Sequence, residues 1–155
     1  MQTRREMISH TAKVAAMLAA AGLLPGLARA QAGGYNAAAF SAKSMAELTK
    51  ALGIATPTES KDVTITGPDI AENGAVVPVA AASTLPGVKR LLMLVEKNPN
   101  FMAAMFDVTD AIDANIATRV KMGQSSDVYA VAVMNDGKVL FARKEIKVTL
   151  GGCGG

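Results

Sequence analysis

From Asp62 onward the chain alternates short apolar and β-branched runs with turn residues. Val63-Thr64-Ile65-Thr66 is the first run, closed by Gly67-Pro68. Residues 75–81 form the second, entered through Asn73-Gly74. The third, residues 90–96, contains Leu91-Leu92-Met93-Leu94-Val95, and so unbroken an apolar stretch predicts a strand covered on both faces. Asn98-Pro99-Asn100 reads as a turn. Runs at 101–108, 115–121 and 127–134 follow. Asn135-Asp136-Gly137 is a hairpin turn leading into the last run, 138–150, where Ile146, Val148 and Leu150 alternate with Lys147 and Thr149. Seven short strands, none followed by a long helix, predict an all-β fold: an antiparallel sandwich rather than parallel α/β. The 127–134 run has few polar residues on either face. That leaves two readings, ordinary core or a sheet face packed on a partner protein.

Upstream of these strands the period changes. From about Asn36 to Leu52, Ala37, Ser41, Met45, Leu48 and Leu52 share one arc of a helical wheel, and Lys43, Glu47 and Lys50 fall opposite. This predicts one amphipathic helix, N-capped by Asn36 and stopped by Gly53, that covers an edge or end of the core.

The first 30 residues belong to neither pattern. Arg4-Arg5 precedes an apolar run from Val14 to Leu27, and Ala28-Arg29-Ala30 closes it as a small-residue cleavage signal. The run is alanine-rich, broken by Gly22, Pro25 and Gly26, and too short to span a bilayer comfortably. The expectation is an export peptide over 1–30. Arg4 and Arg5 point to the twin-arginine route and hence to the periplasm. One domain over 31–150 and a glycine-rich segment over 151–155 complete the organisation. No further membrane span is expected.

This division changes the charge. The whole chain carries 16 basic and 13 acidic residues. The leader holds four of the basic ones (Arg4, Arg5, Lys13, Arg29) and one acid, Glu6, so the remainder is balanced. Its aromatics are not interleaved with basic clusters, and Lys89-Arg90 and Arg143-Lys144 read as solvated strand faces. Nucleic acid is therefore excluded as a partner.

Familiar catalytic chemistry is also poorly supplied. The one histidine, His10, lies in the leader, so histidine-based triads are excluded, and with one cysteine besides, no familiar zinc or copper site can be built from one chain. No Cys-x-x-Cys pair exists. Gly151-Gly152-Cys153-Gly154-Gly155 is no phosphate loop, because it lacks a lysine and does not link a strand to a helix. Asp107, Asp110 and Asp113 surround a turn and read as solvation, with a weak cation site as the lesser alternative. No metal and no cofactor is expected.

What remains is Cys153, the chain's one cysteine. An odd cysteine in an exported protein risks oxidation and needs a reason. Gly151, Gly152, Gly154 and Gly155 flank it and remove every side chain that would shield or crowd the sulfur. Five extended residues reach up to about 17 Å, enough to enter a narrow channel in another protein. The segment brings no base or cation to activate the thiol, so activation is expected in a partner's site. This predicts a non-catalytic covalent carrier with a swinging arm. The alternative is an envelope binding or structural module whose Cys153 forms an intermolecular disulfide.

Three features together resemble the SoxY family: the twin-arginine leader, the segment from Pro68 to Val79 (Pro-Asp-Ile-Ala-Glu-Asn-Gly-Ala-Val-Val-Pro-Val), and the Gly-Gly-Cys-Gly-Gly run at 151–155. The resemblance implies an immunoglobulin-like sandwich, an obligate heterodimer with SoxZ, and a sulfur-carrying role for Cys153 in periplasmic thiosulfate oxidation. It also implies transient docking to other proteins. The cytochrome SoxAX would couple thiosulfate to the thiol, the hydrolase SoxB would release sulfate, and the sulfur dehydrogenase SoxCD would oxidise the remaining sulfane.

Overall fold

The computed structural model describes residues 36–150. Two helices, α1 (Ala37–Ser41) and α2 (Met45–Leu52), precede nine strands: β1 (Thr58–Glu59), β2 (Val63–Thr66), β3 (Ile70–Ala71), β4 (Val77–Ser83), β5 (Val88–Val95), β6 (Met102–Asp107), β7 (Asn115–Val120), β8 (Ser126–Met134) and β9 (Val139–Val148). They form two sheets. The larger runs β1-β9-β8-β5-β6, with β3 also on β9, and the smaller runs β2-β4-β7.

Alternation decides which side chains lie between the sheets. Val77, Val79 and Ala81 of β4 face inward and are buried, whereas Pro78 is exposed. Opposite them lie Leu91, Met93 and Val95 of β5, Val128, Ala130 and Ala132 of β8, and Ile146 of β9. Each Val, Leu, Ile or Met side chain buried there contributes roughly 1.5–3 kcal/mol.

The unbroken apolar runs have a second explanation. Leu92 and Leu94 of β5 and Val131 and Val133 of β8 point out of the sandwich, into a second cluster with Ala39, Ala42, Leu48 and Phe101. The chain's own helices therefore cover the outer face of β8. Of the two readings for residues 127–134, core holds.

The predicted single helix is corrected. Ser44 interrupts it: its Oγ accepts from the Glu47 amide, and the Glu47 carboxylate accepts from the Lys43 amide at 2.8 Å. This reciprocal cap, worth about 1 kcal/mol, starts a new helix rather than continuing the old one. The restart rotates the apolar arc. Ala39, Ala42 and Leu48 are buried, while Ala37 and Ser41 are exposed. Asn36 caps α1 as expected, and Gly53 ends α2 at φ +64°. Lys43 Nζ donates to the Pro99 carbonyl and to Asn100 Oδ1, and the Phe101 amide donates to the Ala42 carbonyl, so the break is tied to the β5–β6 turn.

The pairing is not wholly antiparallel either. β1 and β3, two residues each and absent from the sequence reading, run parallel to β9 along one edge. Their pairing with β9, rather than any local period, makes them strands. The strand expected at 75–81 is β4, and it begins at Val77.

Candidate functional site

Cys153, Gly151, Gly152, Gly154 and Gly155 lie outside the described residues, as do Arg4, Arg5, Ala28 and Ala30. What the structure defines is the point from which the cysteine-bearing segment departs. β9 leaves its antiparallel partner at the Ser126–Ile146 pair. Beyond that pair, four residues are held by other means. The Lys147 amide donates to the Asp69 carbonyl at 3.0 Å, and the Thr149 amide to the Ala71 carbonyl at 3.1 Å. The Val148 amide donates to Ser125 Oγ at 2.9 Å. Thr149 Oγ1 donates to the Glu72 carbonyl at 3.0 Å. Finally, the Gly74 amide donates to the Leu150 carbonyl at 2.7 Å.

Four of these five bonds come from residues 69–74. Local chemistry shapes that segment. Asn73 Oδ1 accepts from the Ala75 amide at 2.8 Å, making an Asx turn. The turn leaves the buried Gly74 backbone free to work in both directions, its amide toward Leu150 and its carbonyl toward the Met122 amide at 2.7 Å. Asn73-Gly74 thus shapes a turn, and the turn clamps the end of β9. Pro78 pairs with Arg119 of β7, beyond the stretch of β4 that β2 covers, where a missing amide proton is tolerated.

Two further contacts brace the clamp. Lys144 Nζ lies 2.8 Å from Asp69 Oδ1, and this hydrogen-bonded ammonium holds the Asp69 carboxyl below its ordinary value. Gly67 sits against buried Ile146, where an added Cβ would lie 2.8 Å from the Ile146 Cδ1 methyl. The missing side chain permits this close approach; with a Cβ at residue 67 the Ile146 methyl would have to move.

The acidic residues do not form a cation cage. Asp107 Oδ1 is 2.6 Å from Arg90 Nε, across the β5–β6 pair. Asp110 and Asp113 line a cleft of about 620 Å³ together with Pro86, Gly87 and Ile112. Among the described residues, no three His, Cys, Asp or Glu side chains converge to hold a metal ion. No helix among them is long and apolar enough to cross a membrane.

A family model described as "Sulfur oxidation protein SoxY" matches residues 48–153. Among solved structures, the sulfur carrier protein SoxY from Chlorobium limicola f thiosulfatophilum is 32% identical, with a TM-score of 0.60. The match covers 70% of this chain and 100% of that one. A variant of the superoxide reductase (neelaredoxin) from Ignicoccus hospitalis has a TM-score of 0.50 at 18% identity, covering 56% of this chain and 78% of its own. A putative superoxide reductase from Thermotoga maritima has a TM-score of 0.50 at 10% identity, covering 59% and 93%. The likeness to the two reductases is one of fold alone. No curated protein matches.

Proposed function

The chain belongs to the SoxY family of sulfur oxidation proteins, and on that premise we propose that it carries sulfur intermediates covalently on Cys153 for separate enzymes to process. One positional observation carries this reading. The chain's one cysteine is the last residue of the family match, three residues beyond Leu150, the last of four residues held by five hydrogen bonds. A firm root and a glycine-flanked thiol are what a swinging arm requires.

The chemistry balances without a catalytic group on this chain. Coupling thiosulfate to the thiol forms an S–S bond, gives Cys–S–S–SO₃⁻, releases one proton and passes two electrons to a c-type cytochrome partner. Water then attacks the sulfonate sulfur in a partner hydrolase. The S–SO₃ bond breaks, sulfate and a proton leave, and a persulfide remains on Cys153. Where a sulfur dehydrogenase is present, it oxidises that sulfane to a sulfonate with the oxygens of three waters, releasing seven protons and passing six electrons to its electron acceptor, and a second hydrolysis releases sulfate and returns the thiol. This chain supplies the attachment atom and the reach, and the partners supply oxidant, water activation and metal. Gly152 and Gly154 leave room for each charged intermediate without favouring one.

The leader supports a periplasmic location for this cycle, and the family resemblance supplies SoxZ as the constant partner. Intact-mass measurement after incubation with thiosulfate and the coupling cytochrome tests the reading. The expected result is a thiosulfonate adduct on the native chain and none on Cys153→Ser, which still folds and still binds its partner subunit. An unmodified native thiol throughout, or only a disulfide-linked dimer, refutes it.

A further inference from the structure

Among the described residues, the exposed large hydrophobic side chains are Ile70, Val76, Ile112 and Leu150. Three of the four stand around the point where the cysteine segment departs. Leu150, 70% exposed, is the last residue before that segment. Its carbonyl is bonded to Gly74, two residues before Val76, which is 54% exposed. Ile70, 58% exposed, pairs with Lys147 in β3. Polar residues rim them: Asp69, Glu72, Asn73, Lys147 and Thr149 are all exposed. Apolar surface inside a polar rim is the composition of a protein contact.

The fold does not use these side chains. Ala71, beside Ile70, is the inward residue of β3, and Val77, beside Val76, is the inward residue of β4. The clamp on Leu150 is made by its backbone, not its side chain.

We infer that Ile70, Val76 and Leu150 form the docking surface for the rim of the channel that receives Cys153, in each enzyme that works on the carried sulfur. The inference rests on the carrier reading above. Its warrant is the length of the arm. Cys153 lies three residues beyond Leu150, a reach of about 10 Å when extended. A thiol inserted into a channel uses most of that reach. The channel's rim must then lie against the domain surface around Leu150. Apolar contact is non-directional, so one such surface serves several enzymes whose rims differ in polar detail.

Ile112 supplies the control. It is 50% exposed, and its cleft also contains Gly87. The Gly87 carbonyl accepts from the Asn135 amide at the β8–β9 turn, at the far end of β9 from Leu150. The experiment uses the full chain with its partner subunit. The rate of thiosulfate coupling by the c-type cytochrome is followed against carrier concentration for the native protein and for Ile70→Glu, Val76→Glu, Leu150→Glu and Ile112→Glu. The three root variants are expected to raise KM for the carrier on the order of tenfold with kcat nearly unchanged, as lost docking requires. Ile112→Glu should match the native protein. Alkylation of Cys153 by iodoacetamide alone should be equal in all, because a small reagent needs no docking. Should a glutamate variant melt early, Val76→Ser and Leu150→Ser remove the apolar area without adding charge. A native KM in the root variants overturns the docking surface and leaves the carrier reading standing. An equal rise in Ile112→Glu overturns it also. A native protein that is never loaded removes both.

Discussion

The Gly74 amide donates a 2.7 Å hydrogen bond to the carbonyl of Leu150 and so fixes the last residue before the cysteine-bearing segment. Residues 76 positions apart in sequence thereby set where the thiol starts its excursion. The same turn passes its carbonyl to Met122, which is fully buried. The exit point is thus bonded to the core, while the segment beyond carries only backbone and one sulfur.

That division predicts how the glycines act. Gly152→Val with Gly154→Val should slow sulfur transfer through lost backbone freedom and added bulk beside the thiol. Thermal stability should be almost unchanged, because the carrier reading leaves this segment unpacked. Paired melting curves and loading kinetics check it. A large drop in Tm would show the segment buried against the domain.

The clamp itself is open to a milder test. Thr149→Val keeps the side-chain shape and deletes the bond from Thr149 Oγ1 to the Glu72 carbonyl. Its expected cost is about 1 kcal/mol. Hydrogen exchange at the Gly74 and Thr149 amides should accelerate, while exchange in the centre of β8 stays as in the native protein.

Gly67 and Ile146 should be energetically coupled. A Cβ at residue 67 would press on Ile146 Cδ1, so Gly67→Ala is expected to cost about 1–3 kcal/mol by overpacking. Ile146→Val deletes that methyl and should cost about 0.5–1.5 kcal/mol by itself. The double variant should then be more stable than the sum of the single losses implies. Denaturant unfolding of the four proteins measures the difference.

Alkaline pH should weaken the helical side of the domain. Tyr129 lies between Phe101 and Phe141, with ring centroids 6.1 and 5.9 Å away. Burial, assisted by the carboxylates of Glu96 and Asp127, raises its phenol above the ordinary value of 10. Folding therefore favours the neutral form. The resulting stability is complete below pH 10 and is lost as pH rises through the higher folded value. Phenolate absorbance and melting temperature, followed together, should show late ionisation of Tyr129 and a parallel fall in Tm. Tyr129→Phe should remove that fall.

The longer strands were legible because each is a run of alternating or continuous apolar residues that writes its own burial. The Asn36 and Gly53 caps and the Asn135-Asp136-Gly137 turn were equally local. The helix break was legible too, in Ser44-Met45-Ala46-Glu47, a capping pattern that the apolar arc overrode. β1 and β3 were not: two residues have no period, and only alignment along β9 makes them strands. Nor did residues 127–134 reveal what covers their outer face, since an apolar face looks the same under a helix or under another protein.

Cys153 and its glycines are a statement the chain makes alone, because reactivity and backbone freedom belong to residue type. The segment from Pro68 to Val79 could be read beforehand as a family motif with a turn and the start of a strand, but not as a clamp on the end of β9. Its purpose lies in bonds that reach across 76 to 78 residues to Lys147, Thr149 and Leu150. Such bonds depend on two strands arriving side by side, and that arrival is decided by the packing of both sheets together.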